Sequence, residues 1–116
     1  LVVDDDAAVC QAIRRSLAEH HEVVALTSAE EALARIVAGE RFDVILSDVM
    51  MPSVTGMELY ERIRRVAPDQ APRVVFLTGG AFTTEARAFL DSVTNETIEK
   101  PFEPAKLLAV IARLSR

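Results

Sequence analysis

Cysteine, positive charge and long apolar runs are all scarce in this chain, and each shortage removes a class of protein. Cys10 is the single cysteine, so no intramolecular disulfide can form, and one thiol agrees with a reducing cytoplasm. Lysine and arginine number 13 against 18 aspartates and glutamates, a net charge of −5. Nucleic-acid backbones are bound by clustered cations, so no direct nucleic-acid contact is expected. Arg62, Arg64 and Arg65 do cluster, but Glu58 and Glu61 lie among them, which reads as a solvated helix face. No apolar run approaches the ~20 residues that cross a bilayer, and no signal peptide is visible, so no direct membrane contact is expected either. Linker-like, repeated and low-complexity stretches are also missing, and the 116 residues, half of them apolar, read as one domain with a real core. Because the chain opens inside an apolar run without an initiator Met, it reads as a fragment of a longer protein.

What is present is alternation. Apolar runs at residues 1–3, 22–26, 43–47, 73–77 and, more weakly, 97–98 are each followed by a helical pattern. Five such repeats are the sign of βα units around a parallel sheet, with right-handed crossovers placing helices on both faces. The first helix, 7–19, is expected to bury Val9, Ile13 and Leu17, with Asp6 as its N-cap. The second opens on the capping-box pattern Ser28-Ala29-Glu30-Glu31, turns Ala32, Leu33 and Ile36 inward and ends at Gly39. The third, 56–67, presents Leu59, Tyr60 and Ile63 and stops before Pro68; Thr83 or Thr84 caps a fourth, which runs to Ser92. The fifth starts at Pro104 and buries Leu107, Leu108, Ile111 and Leu114.

Four polar positions stand out against this frame. Asp48 closes the run Val44-Ile45-Leu46-Ser47, Asp4-Asp5-Asp6 follow the first run, Thr78 follows the fourth, and Lys100 follows the fifth. In a parallel sheet all of them fall at the strands' C-terminal edge, where such folds bind ligands. Clustered carboxylates repel unless a divalent cation lies between them, and oxygen-only ligands suit Mg²⁺. A hydroxyl and an ammonium aimed at the same spot supply donors for phosphoryl oxygens. The site therefore reads as a carboxylate that accepts a phosphoryl group. A triplet of aspartates alone is often only a helix start, which is the reading kept for Asp6. His20 and His21 are read as helix C-terminal residues without a third ligand, and Phe82, Phe89 and Phe102 as core or partner-facing anchors.

This constellation resembles the receiver domain of two-component response regulators from Leu1 to the last helix. The resemblance implies a flavodoxin-like, doubly wound five-stranded parallel sheet of order 2-1-3-4-5. It implies that Asp4 and Asp5, with Asp48 and the backbone carbonyl of Met50, hold Mg²⁺. Asp48 would take a phosphoryl group from phosphohistidine on a histidine kinase or histidine phosphotransfer domain, and Thr78 and Lys100 would bind that group. Met51-Pro52, Gly56 and Lys100-Pro101-Phe102 are similar to further signatures of the family, which implies a cis Lys100–Pro101 bond. Thr97 departs from the pattern, since receivers that switch by rotating a ring usually place Tyr or Phe there. The stretches Thr78-Gly79-Gly80-Ala81-Phe82-Thr83 and Glu99-Lys100-Pro101-Phe102 look most like receivers of hybrid sensor histidine kinases, which pass or store phosphate within a relay. Met50 and Gly80 occupy the two positions that influence the hydrolytic water in the family, and neither offers a carboxylate or amide. A stand-alone single-domain regulator is the alternative within the family. Outside it stands an aspartate-nucleophile phosphatase of the haloacid-dehalogenase type, whose Asp-x-Asp pattern Asp4 and Asp6 formally satisfy. Ala8, where that family usually has Thr or Val, counts against it.

Overall fold

The computed structural model describes residues 1–51, 54–79 and 83–115, so the expectations that fall on Pro52, Gly80 and Phe82 lie outside the described residues. Strand and helix alternate five times: β1 (Val2–Val3), α1 (Ala7–Leu17), β2 (Ala25–Leu26), α2 (Ala29–Val37), β3 (Ile45–Asp48), α3 (Gly56–Val66), β4 (Val74–Thr78), α4 (Thr84–Ser92), β5 (Thr97–Glu99) and α5 (Pro104–Leu114). The five strands form one parallel sheet, as the alternating pattern predicts, in the order β2-β1-β3-β4-β5 that the resemblance implies. A 3₁₀ turn over Ala71–Arg73, which the periodicity does not predict, leads into β4.

The central strands are apolar on both faces because both are covered. Val3, Ile45, Val74 and Phe76 pack with Ala32 and Ile36 of α2, Leu59 and Ile63 of α3 and Ala86 of α4. On the opposite face Val2, Leu46, Val75, Leu77 and Ile98 meet Ile13 and Leu17 of α1 and Leu107, Val110 and Ile111 of α5. The helix starts are capped as read: Asp6 accepts from Ala8 N–H at 2.9 Å, Ser28 from Glu31 N–H at 3.2 Å and Thr83 from Ala86 N–H at 3.1 Å. Gly39 follows α2 at φ 105°, a left-handed conformation that favours glycine.

Three helices sit slightly differently from expectation. On α1 the buried residues are Cys10, Ile13 and Leu17, with Val9 only half-buried. Spacings of three and four follow the 3.6-residue period more closely than repeated fours, and a thiol packs as a small apolar group. Leu33 of α2 and Leu108 and Leu114 of α5 are half-buried, and Val110 takes the inward place on α5.

Candidate functional site

The C-terminal edge of the sheet gathers the predicted polar residues because four elements end there. Asp4 immediately follows β1, Asp48 is the last residue of β3, Thr78 is the last of β4, and Lys100 immediately follows β5. Asp4 N–H donates to Leu26 O at 3.2 Å, and Val49 N–H to Leu77 O at 3.1 Å. Lys100 N–H donates to Thr78 O at 2.7 Å. Backbone pairing therefore continues past the formal strand ends and fixes the loops that carry the side chains. The Lys100–Pro101 bond is cis, as expected.

Asp4 and Lys100 are the tightest pair. The ammonium Nζ lies 2.7 Å from Asp4 Oδ2 and 3.4 Å from Asp48 Oδ2, so one cation serves two carboxylates. Asp4 is fully buried, Asp48 is 8% exposed and Thr78 is 3% exposed, whereas Asp5 faces solvent. The other oxygens of the two buried acids face backbone amides: Asp4 Oδ1 accepts from Asp6 N–H at 2.9 Å, and Asp48 Oδ1 from Met50 N–H at 3.2 Å. Burial, followed by the charge of Asp4, raises the Asp48 pKa above the ordinary 3.8, and Lys100 and the Met50 amide offset this only in part. Burial by itself would lower the Lys100 pKa, but Asp4 and Asp48 together outweigh it and raise it above 10.5.

Carboxylate oxygens of Asp4, Asp5 and Asp48 lie within 4.8 Å of one another, the one such group of potential ligands among the described residues. Opposite ligands on an ion with ~2.1 Å bonds are ~4.2 Å apart, so an all-oxygen donor set of this size fits a small hard cation after a slight contraction. Such an acidic triad is typical of Mg²⁺ sites. The histidines form no such cluster: His20 is exposed and His21 half-buried after the end of α1.

Two contacts beside Asp48 are absent from the sequence reading, which named Gly56 only as similar to a family signature and gave Ser47 no role. Ser47, buried, donates its hydroxyl to the Asp48 backbone carbonyl at 3.2 Å. Gly56, the first residue of α3, is buried against the same carbonyl. A glycine inside a capped first helical turn was the available signal, since it weakens a helix unless backbone must approach closely. Cys10 also touches the site from behind, its thiol donating to Asp4 O at 3.3 Å; burial and the nearby Asp4 charge raise its pKa. Thr97 is exposed on β5, while the aromatic contacts lie inside the α2–α4 face, where Tyr60, Phe76 and Phe89 meet with ring centroids 5.4–5.6 Å apart.

Known proteins agree with this geometry. The response regulator receiver domain family matches residues 1–112. The response regulator MprA of Mycolicibacterium vanbaalenii is 34% identical over all 116 residues, which span 49% of its length. The chain thus spans about half the length of the curated relatives it matches. Among solved structures, a CheY-like receiver domain from Methanospirillum hungatei is 31% identical with a TM-score of 0.81, covering 97% of this chain and 88% of that one. A BeF₃-activated DrrB receiver domain is 27% identical with a TM-score of 0.79, covering 97% of this chain and 92% of that one. Acidic pocket, sheet order and sequence match together make this chain a phosphoacceptor domain of two-component signal transduction, and it belongs to the response regulator receiver domain family.

Proposed function

We propose that Asp48 is the phosphoacceptor, that Asp4, Asp5, Asp48 and the backbone carbonyl of Met50 hold Mg²⁺, and that Thr78 and Lys100 bind the transferred group. The observation that carries this is the difference in exposure between the two acids that share the ammonium: Lys100 lies 2.7 Å from Asp4 and 3.4 Å from Asp48, but Asp4 is fully buried while Asp48 is 8% exposed, so Asp48 is the one of the pair that a phosphodonor can reach. When bound, Mg²⁺ would neutralise charge on the phosphoryl oxygens. A carboxylate oxygen of Asp48 attacks phosphorus while the P–N bond to the donor imidazole breaks, and the departing nitrogen keeps the electron pair. The product is an acyl phosphate. Lys100, beside Asp48 at 3.4 Å, would pair with one of its oxygens, and the Thr78 hydroxyl would donate to another. Receiver membership implies a cognate histidine kinase, a phosphotransfer domain is the other donor of the same chemistry, and the transfer to this chain would take place in the cytoplasm.

Treatment with acetyl phosphate and Mg²⁺ is expected to load one phosphate per chain, mapped by mass spectrometry to Asp48. Label that persists in Asp48→Asn would defeat the assignment, and multiple turnover on phosphate esters would favour the phosphatase reading.

The motifs around Gly79 and Lys100 support a relay receiver from a larger protein, of the kind joined to sensor kinases, and a relay needs a phosphate that survives until transfer. Met50 and Gly80 bring no group that could orient a water behind the acyl phosphate. Slow dephosphorylation is expected in excess Mg²⁺, and Gly80→Glu should accelerate it. Timing the decay of both proteins checks this; a fast wild type that the substitution leaves unchanged removes the argument.

A further inference from the structure

We infer that Gly56 and Ser47 form a backbone clamp that positions the phosphoacceptor, holding the Asp48 carbonyl so that its carboxylate stays within reach of Asp4, Asp5 and Lys100. The inference rests on Asp48 being the acceptor. A Cβ at residue 56 would stand 2.1 Å from Asp48 O, 2.8 Å from Val49 Cα and 3.0 Å from Asp48 C. All three are backbone atoms, so no side chain can rotate aside.

The helix cannot easily retreat instead. Gly56 N–H donates to Val49 O at 2.9 Å, which ties the first residue of α3 to the strand end. Thr55 caps the same turn, its hydroxyl accepting from Glu58 N–H at 3.2 Å and its carbonyl from Leu59 N–H at 3.0 Å. Leu59 and Ile63 then anchor α3 in the core at 1% and 0% exposure. Any side chain at 56 must therefore displace Asp48 itself, by about 1.3 Å if the 2.1 Å approach is to open to an ordinary contact of 3.4 Å. A shift of that size can cost on the order of 10²-fold in rate, because in-line transfer depends on placement of the attacking oxygen. Ser47 holds the carbonyl from its own strand, through the 3.2 Å hydrogen bond of its hydroxyl. Gly56 sets how close the helix may come, and Ser47 sets how the carbonyl is turned.

The test compares Gly56→Ala, Ser47→Ala and Leu17→Ala with wild type, at a temperature where circular dichroism shows each folded. Phosphorylation rates are measured with acetyl phosphate at saturating Mg²⁺, and Mg²⁺ affinity by calorimetric titration. Leu17, the last residue of α1, is 3% exposed in the core on the opposite face of the sheet, so Leu17→Ala opens a cavity away from α3 and serves as the control for lost stability alone. Gly56→Ala is expected to phosphorylate about 10²-fold more slowly and to bind Mg²⁺ more weakly, and Ser47→Ala to lose roughly three- to tenfold in rate, an intermediate share of the same placement effect. Leu17→Ala should stay near wild type in both. If Gly56→Ala does not fold, Ser47→Ala decides, and a wild-type rate there overturns the clamp. Equal losses in Gly56→Ala and Leu17→Ala also overturn it. Asp48→Asn, run alongside, separates the two levels. Label retained in that variant overturns the acceptor assignment and the clamp with it, whereas wild-type kinetics in Gly56→Ala with Asp48→Asn unlabelled overturn the clamp alone.

Discussion

Lys100→Met is expected to destabilise the metal-free protein by about 3 kcal/mol, the lower part of the range for breaking a buried ion pair from one side. The lower part applies because the Lys100 side chain is 22% exposed, while that of Asp4 is not exposed at all. Methionine keeps the length of the apolar stem, so what is lost is the ammonium. Asp4 Oδ2 then has no counter-charge, and it faces the Asp48 carboxylate with only the Asp6 amide on its other oxygen. At roughly 4 °C per kcal/mol for a domain of this size, the melting temperature in chelator should fall by on the order of 10 °C. Mg²⁺ at about a hundred times its Kd would stabilise either protein by roughly 2.7 kcal/mol, so the deficit should shrink only by the extra affinity the variant gains when no ammonium competes with the cation for its carboxylates. The alkaline limb gives a second reading. The Lys100 pKa is raised on folding, so its contribution is fully present below its ordinary 10.5 and is lost as pH climbs through the higher folded value. Wild type should therefore lose stability above about pH 10.5 by a component that Lys100→Met lacks. Phosphorylation should slow by about 10²–10³-fold, as for loss of one charge-stabilising donor. Equal melting of the two proteins in chelator would remove the basis for the pairing.

The sheet and its functional edge were legible because both rest on local rules that repeat. Each apolar run ends in a polar residue that a parallel sheet must deliver to one side, so Asp4, Asp48, Thr78 and Lys100 could be assembled without any long-range information. Even β5 was visible from little more than Ile98, whose neighbours Thr97 and Glu99 are exposed while it is fully buried. What escaped was pairing across distant sequence. Gln70 is buried because its side-chain oxygen accepts from Phe42 N–H at 2.8 Å, and Asn95 donates to both Ala71 O and Val74 O at 2.9 and 2.8 Å. Those side chains satisfy backbone groups that the loops around β3 and β4 leave open, and no periodicity announces them. The burial of Cys10 in place of Val9 is a different kind of miss. A rotation of α1 by one position suffices for it, and sequence patterns fix a helix face only to about that precision. The role of Gly56 was hidden for a third reason, since its importance lies in the atom it does not have and in a carbonyl eight positions earlier.

Asp48→Asn should melt higher than wild type in chelator and gain less than wild type from Mg²⁺, so the ranking of the two proteins changes with the metal. The Asp48 pKa is raised on folding, by burial first and by the charge of Asp4 second, which means the folded protein prefers this group uncharged. Asparagine is uncharged at every pH, has nearly the same shape, and keeps an oxygen that can accept from Met50 N–H as Asp48 Oδ1 does at 3.2 Å. It gives up the 3.4 Å contact with Lys100, but the ammonium retains Asp4 at 2.7 Å. The sign of the pH dependence follows. Between the ordinary value of 3.8 and the higher folded value, the folded state binds more protons than the unfolded one, so wild-type stability declines as pH rises through that interval. Asp48→Asn lacks this decline, and its advantage should open across the acidic range and then stay level towards neutrality. Mg²⁺ should reverse the ranking, because on the proposed assignment a carboxylate that is a burden without the cation would become a ligand with it. Thermal melting of both proteins from pH 4 to 8, in chelator and in excess Mg²⁺, measures all of this at once. A variant that melts below wild type in chelator at neutral pH, or one that gains as much from Mg²⁺ as wild type does, would show that Asp48 carries neither the electrostatic strain nor the metal contact assigned to it.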